Sequence, residues 1–379
     1  MSHRAVDRFM EGRGGGSTLT IVFKLPGFSA SDFHVVISPL TEMMAVLHAM
    51  AEPDHHLEAR SVLSTISESI NNAYAREFNF LSPLWARFRC RLFFPFSPES
   101  QSLDAELQAV EALPIRTFVW LCAEGVQGMR GPIPPVDRLI QETPERRRFL
   151  DYCLSRSTAR HDLAVALLND PTAVRRRLLC FLAETNTLFF GHEWMIVRDE
   201  IRRAAASHQH QTRTLSSGDA LARLHYSAHH AIELNEVRID KLQQYSVPLK
   251  DRTVIAVPSV RIGSHLTVKW EPDVPIIIHF PLRTASAGPL GIGAMRQRLA
   301  ALNSDSRMEL FRHLVGEPIT TSELASRMNQ TPAQISRELR VLRDADLLIS
   351  ERRGKLIFHR MDVDKIVHLG PDLLSTVLR

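Results

Sequence analysis

Gln334, Ser336, Arg337 and Arg340 fall within one short stretch of the chain. Their side chains are of the kind that hydrogen-bond base edges and neutralise phosphates. An Arg guanidinium matches the paired acceptors of a guanine edge, and a Gln amide matches an adenine edge. That chemistry needs one stiff element held against a duplex. Ile335, Leu339 and Leu342 recur at i, i+4 and i+7 in the same stretch, so a helix would bury these three and turn the polar four to other faces. Arg352, Arg353 and Lys355 make a second basic group, around Gly354. A glycine-tipped turn carries charge with little fixed geometry, which suits phosphate oxygens more than bases.

Other clusters could do different chemistry. His225, His229 and Glu233 are spaced by four; on a helix they would share one face and could hold a metal ion, although such pairs also occur on plain surface helices. His192-Glu193 opens like a zinc-protease helix, but Ile196 stands where the second His is needed. The glycines at 14–16 have neither a strand before them nor a Lys after them, as a phosphate loop would. No nucleophile elbow, Ser-His-Asp order or dinucleotide fingerprint is present, so no catalytic residue and no cofactor are expected. Trp120 and Trp194, with Phe118, Phe189 and Phe190, either pack in a core or line a small-molecule pocket.

The elements that would carry the basic residues have start and stop signals. Thr320 followed by Glu323 predicts a capping box, and Thr331 with Gln334 predicts a second, strengthened by Pro332 at the first helical position. Leu324 and Met328 mark the buried stripe of the first helix, and Asn329 tolerates the left-handed backbone of a helix end. Residues 347–350 read as a strand, 351–355 as a turn and 356–360 as the returning strand. Two short helices at a tight turn, then a basic hairpin, predict a winged helix-turn-helix that reads DNA. The residues expected to face DNA are Thr321, Ser322, Gln330, Thr331, Gln334, Ser336, Arg337, Arg340, Arg352, Arg353 and Lys355.

Residues 302–361 resemble the winged-helix domain of the ArsR-like repressor family. The resemblance rests on Ser322-Glu323-Leu324-Ala325, Ile335-Ser336-Arg337-Glu338-Leu339, the 341–348 segment, and an opening helix over 304–314. Asp346 departs from it, standing where relatives place a Gly. Residues 322–328 also lack the cysteines of the metal-sensing members, so the resemblance implies DNA binding without thiophilic metal. Residues before this domain resemble the uncharacterised domain that precedes such winged helices in actinobacterial regulators. Asp32, Ser38-Pro39-Leu40, Glu42, Leu47-His48 and Val257-Pro258-Ser259-Val260 carry that likeness, and an aromatic-rich stretch usual after the last of these is absent.

The chain has 379 residues, 44% hydrophobic and 23% charged, with a net charge of +4, enough for two or three domains with their own cores. Residues 291–379 hold 14 Lys and Arg against 11 Asp and Glu, so most of the excess positive charge lies at the DNA-reading end. Cys90, Cys122, Cys153 and Cys180 are scattered and read as reduced core residues. No apolar stretch is long enough to span a membrane, and a cytoplasmic protein is expected.

The fold expected is mainly α with small β elements. It comprises a flexible leader over 1–18, a mainly helical domain over 19–285 with strands near 253–280, and a winged helix-turn-helix over 292–379. Ser38-Pro39 and Asp170-Pro171 start helices, and the polar 207–218 stretch reads as a loop. The partners expected are a double-stranded DNA operator, a second copy of the chain, and a small-molecule effector held by the N-terminal domain. The homodimer surface would come from Ala294 to Leu302 with Val363, Ile366 and Val367. The alternatives are an enzyme targeted to DNA by the winged helix, or a regulator responding to metal at His225, His229 and Glu233.

Overall fold

The computed structural model describes residues 20–53, 56, 59–86, 89–128, 133–240, 245–263, 265–282, 291–314, 318–354 and 356–377. The expected leader, most of the expected joint near 283–293, and Lys355 lie outside the described residues. The chain divides into two compact units, Met1–Thr284 and Ala285–Arg379.

In the first unit, strands β1 (Thr20–Lys24) and β2 (Phe33–Val35) come before the helices. These are α1 (Pro39–Ala51), α2 (Arg60–Glu68), α3 (Asn72–Leu81), α4 (Leu103–Ala112), α5 (Ile115–Gln127), α6 (Val136–Ile140), α7 (Pro144–Arg156), α8 (Thr158–Asn169), α9 (Pro171–Thr185), α10 (Gly191–Thr214) and α11 (Ser217–Ala222). Strands β3 (Ala228–Ala231), β4 (Glu236–Asp240), β5 (Tyr245–Pro248), β6 (Val254–Ser259), β7 (Thr267–Lys269) and β8 (Ile276–Pro281) follow. The strands form two four-stranded sheets, ordered β3-β4-β1-β5 and β2-β6-β8-β7. Each sheet therefore takes one strand from the start of the chain and three from beyond residue 227, with the helices inserted between.

Alternation along the central strands decides what packs where. β6 and β8 are buried at every position and read as continuous apolar runs, as parallel strands covered on both faces do. Ile255, Val257 and Ile277 join a core with the helices. Val254, Ala256, Ile276, Ile278 and Phe280 face the other way, onto Ile21, Phe23, Val237, Ile239 and Val247 of the first sheet. In the helical core Trp85 stacks on Phe181 at 5.4 Å, and Phe181 on Tyr74 at 4.8 Å. Phe118 and Phe190 are buried there, with Trp120 and Trp194 half-buried against them.

Ser38 and Asp170 cap α1 and α9 as expected, each with a Pro in the first turn. The loop expected over 207–218 is not found. α10 runs to Thr214, and only a short break separates it from α11. Its polar residues have specific work: Gln209 Oε1 accepts the Val35 N–H of edge strand β2 at 2.8 Å. Cys90, Cys122 and Cys153 are buried free thiols, but Cys180 is exposed and is not a core residue. No described helix is long and apolar enough to cross a membrane.

The second unit consists of α12 (Ile292–Leu302), α13 (Asp305–Leu314), β9 (Ile319–Thr320), α14 (Thr321–Arg327), α15 (Pro332–Asp344), β10 (Leu348–Arg353), β11 (Leu356–Met361), α16 (Val363–Val367) and α17 (Leu369–Val377). Its core joins Leu310, Phe311, Leu314, Ile319, Leu324, Ile335, Leu339, Leu342 and Leu347. The sheet order is β10-β11-β9, all antiparallel.

Candidate nucleic-acid interface

The turn between α14 and α15 is built by the residues that predicted it. Thr331 Oγ1 accepts the Gln334 N–H, and Gln334 Oε1 accepts the Thr331 N–H at 2.9 Å, closing a capping box behind Pro332. Asn329 takes the left-handed backbone, φ 51°. The first box is only half made. Thr320 Oγ1 accepts the Glu323 N–H, but Arg327 donates to the Glu323 carboxylate at 3.1 Å. Thr320 also ends β9 and is paired in the sheet with Phe358.

α15 buries Ile335, Leu339 and Leu342 and leaves Thr331, Gln334, Ser336, Arg337 and Arg340 exposed. Among the described residues no partner is found for the guanidinium of Arg337 or Arg340, so both are free to meet a ligand. Ser322 is exposed near the start of α14, while Thr321 and Gln330 are half-buried.

The hairpin is longer than expected. β10 continues through Glu351 and Arg352 to Arg353, which pairs with Leu356, and Gly354 (φ 62°) follows it at the tip. Arg352 Nε donates to the Gly354 carbonyl at 3.2 Å. Arg353 donates to Glu351 at 2.9 Å and lies over the Phe358 ring. The same pairing holds the Glu351 carboxyl below its usual range and raises the Arg353 guanidinium. Both side chains are exposed, so the pairing is readily exchanged for another anion.

Two residues outside the expected set brace this surface. His359, buried on β11, has Nε2 3.1 Å from Thr321 Oγ1 and Nδ1 2.9 Å from Ser350 Oγ. It thus ties the first turn of α14 to the wing. Burial first, then Arg343, lowers its pKa, which keeps the ring neutral. Its place on the inward side of β11 was visible as alternation, but its partners come from two other elements. Arg298 is the second brace. From α12 it donates to the Ala345 carbonyl, Asp346 and Asp372.

The histidine cluster of the first unit is not a helical face. His225 lies buried in a turn with Nδ1 2.7 Å from Ser227 Oγ, His229 is exposed on β3 and Glu233 is exposed in a single 3-10 turn. The strand pairing Ala228↔Ile239 through Ala231↔Glu236 overrides the helical spacing. The neighbouring His230 instead bonds Asp219 at 2.8 Å. Among the described residues no three His, Cys, Asp or Glu are grouped to hold a metal ion.

The aromatic residues considered for a pocket do not line one of the described cavities. A cavity of about 60 Å³ lies elsewhere in the first unit, bounded by Leu40, Leu92, Phe94 and Glu106.

Two helices joined by a left-handed turn, the second with exposed Gln and free Arg, define a helix-turn-helix, the reading element of DNA-binding transcription regulators. Comparison with protein families agrees: residues 302–351 match the model of a helix-turn-helix domain. Residues 19–286 match the model of a family of unknown function (DUF5937), and the chain belongs to that family. No curated protein matches it.

The residues behind the N-terminal likeness meet in space. Glu42 Oε1 accepts the N–H groups of Val260 (3.2 Å) and Arg261 (2.9 Å), so the α1 signature holds the end of the Val257–Val260 segment. Burial pushes this carboxyl up to about 7 despite those donors. Glu106 likewise accepts Ser38 Oγ at 2.5 Å and the Leu40 N–H at 2.8 Å, at the start of α1.

Proposed function

We propose that this protein is a sequence-specific transcriptional regulator of the ArsR-like type, a repressor that binds a double-stranded operator as a homodimer. The observation that carries the reading is the exposed face of α15, where Arg337 and Arg340 have no partner among the described residues beside a basic wing. Gln334, Ser336 and Arg337 read bases. Arg340, Arg352, Arg353 and Lys355 hold phosphates, and Thr321, Ser322, Gln330 and Thr331 fix the register on the backbone.

The dimer surface is α12 with α16 and α17. Ile292, Leu299, Val363, Val367 and Leu374 are exposed apolar residues there, the surface that a second copy would cover. The N-terminal unit controls DNA binding through a small-molecule effector, and the protein works in the cytoplasm without catalysing a reaction.

Mapping the sites bound across the genome, followed by a gel shift on the strongest of them, tests this. A near-palindromic site held by wild type and lost in Arg337→Ala with Arg340→Ala is the expected result. Binding that shows no preference over random duplex would overturn the reading.

A further inference from the structure

The helix-facing side of β7 and β8 carries charge where the rest of that sheet carries a core. Thr267 pairs with His279, and Lys269 with Ile277, so these four share a face. Along the sheet that same face continues as Ile255 and Val257. His265 stands two residues before Thr267, just outside β7, with its ring near that of His56.

Arg89 lies against this face and donates from Nη1 to Thr267 Oγ1 at 2.6 Å. Its Nε is buried and without a partner, and no carboxylate pairs with it among the described residues. His48 Nδ1 faces the Trp85 and Ala86 carbonyls at 2.9 and 2.8 Å. The His56 ring stands between those of His48, at 4.9 Å, and His265, at 5.3 Å. Both ring nitrogens of His279 are buried and unpartnered.

Among the described residues the charges in this layer do not balance. Arg91 and Lys269 are buried beside Arg89, and Glu271 and Glu124 are the carboxylates that face them. Burial, then Glu271, pushes Glu124 up to about 7, so even this pair is not fully ionised at neutral pH. Burial alone pulls Arg89 down to about 10. Burial first, then Arg89, holds His48 below its usual range, and the same two causes act on His279. A guanidinium nitrogen buried without a partner is costly, and His48 and His279, whose pKa values burial lowers, supply no anion beside it.

We propose that Arg89, with His56, His265 and His279, binds a small oxyanion, a carboxylate or a phosphate group. The guanidinium offers a planar fork that fits either group, and Thr267 orients the fork from behind. Arg89, His265 and Thr267 are only half-buried, so the cluster is within reach of solvent. The proposal deepens the regulatory reading, on which its consequence for DNA binding rests, by naming the effector's chemical class.

The test is thermal unfolding of the full chain at pH 7 in chloride of constant ionic strength, with added inorganic phosphate and, separately, benzoate. One of the two anions should raise the midpoint saturably, by about 3 °C or more when well above its dissociation constant. The arm that responds identifies phosphate or carboxylate as the group. Arg89→Gln should abolish the response; should that variant not fold, His265→Ala at the half-buried rim should weaken binding roughly tenfold. Neither anion acting on wild type, the response persisting in Arg89→Gln, or His265→Ala responding at the same anion concentration as wild type, overturns the proposal. Since the curves contain no DNA, a chain that failed to bind any operator would leave this result intact.

Discussion

Arg298 reaches Asp346 across 3.1 Å, joining α12 to the turn that ends α15. Asp346 holds φ 58°, a left-handed backbone that Gly adopts most readily. The carboxylate supplies the compensation: it accepts from Arg298 and also from Lys365 of α16. Arg298, itself 1% exposed, completes its bonding with Asp372 of α17 at 3.2 Å. One guanidinium thus fastens the proposed dimer helices to the recognition helix.

Replacing Arg298 by Met should destabilise the second unit by roughly 1–3 kcal/mol, below the about 3–5 kcal/mol of a fully buried pair because Asp346 remains in water. Asp346→Gly removes the backbone strain, worth about 1 kcal/mol, but also two ion pairs, so it should not stabilise. Hydrogen exchange of the α12 and α17 amides measures both. A more stable Asp346→Gly would mean that the ion pairs contribute nothing. Lys365 first, with Arg298, holds the Asp346 carboxyl below its usual range. Its contribution is therefore present above the unfolded pKa, about 3.9, and is lost as pH falls through the lowered folded value.

Arg337→Ala should flatten base preference at one or two positions of each half-site, by about 1–3 kcal/mol, while the fold persists. Arg337 is exposed and its neighbours Ile335 and Leu339 make the core contacts, so stability should hardly move. Binding measured on a set of singly substituted operators decides it. An unchanged preference would remove Arg337 from the reading set.

The wing has an internal competitor for its own cation. Glu351 holds Arg353 at 2.9 Å, and any phosphate must displace it. Glu351→Gln should tighten binding to all sequences alike, by roughly threefold, because an exposed pair is worth under about 1 kcal/mol. Neutralising Arg353 and Lys355 together should weaken all sequences and lower the salt slope by roughly one unit for each phosphate left without its cation. Salt titration of the gel shift reads both, and an unaltered slope in the double variant would take the wing off the backbone.

What could be read in advance follows from how local each signal is. Thr331, Pro332, Gln334 and the Ile335-Leu339-Leu342 stripe act within four residues of one another, and the helix they predict is found as α15. The Thr320 box is read half right because Glu323 has a second partner, Arg327, that spacing alone does not rank. β2 and β5 escape notice because their pairing is remote: β2 joins β6, and β5 joins β1, across more than two hundred residues. The polar end of α10 looks like a loop because Gln209 serves a strand amide rather than water. In β7 the alternation is legible, but the face that carries Thr267 and Lys269 looks solvent-facing until the helices are seen to cover it.

His359 should make the second unit sensitive to acid. Its folded pKa lies below the unfolded value, so the unfolded chain binds more protons once pH drops below about 6.5. The stability it confers is complete above that pH and is lost as pH falls toward the folded value. His359→Gln should remove this slope, and operator affinity should then depend less on pH between 7 and 5.5, since the wing no longer loosens from Thr321. An identical pH profile in wild type and variant would show that the Thr321–His359–Ser350 link does not set the wing.

Val367 is 67% exposed and Val363 47% exposed on a short helix beside α17, and Leu299 and Ile292 add apolar surface on α12. If a second copy covers them, Val367→Glu with Leu299→Glu buries two unpaired carboxylates at the centre of the contact, a cost of several kcal/mol. The variant should run as a monomer in sedimentation at concentrations where wild type is a dimer. Its operator binding should fall by far more than one base contact is worth, because each recognition helix then reads its half-site alone. The two substituted residues belong to none of the surfaces assigned to DNA, so a monomer that kept full operator affinity would sink the paired reading, and a variant that stayed dimeric would place the interface elsewhere.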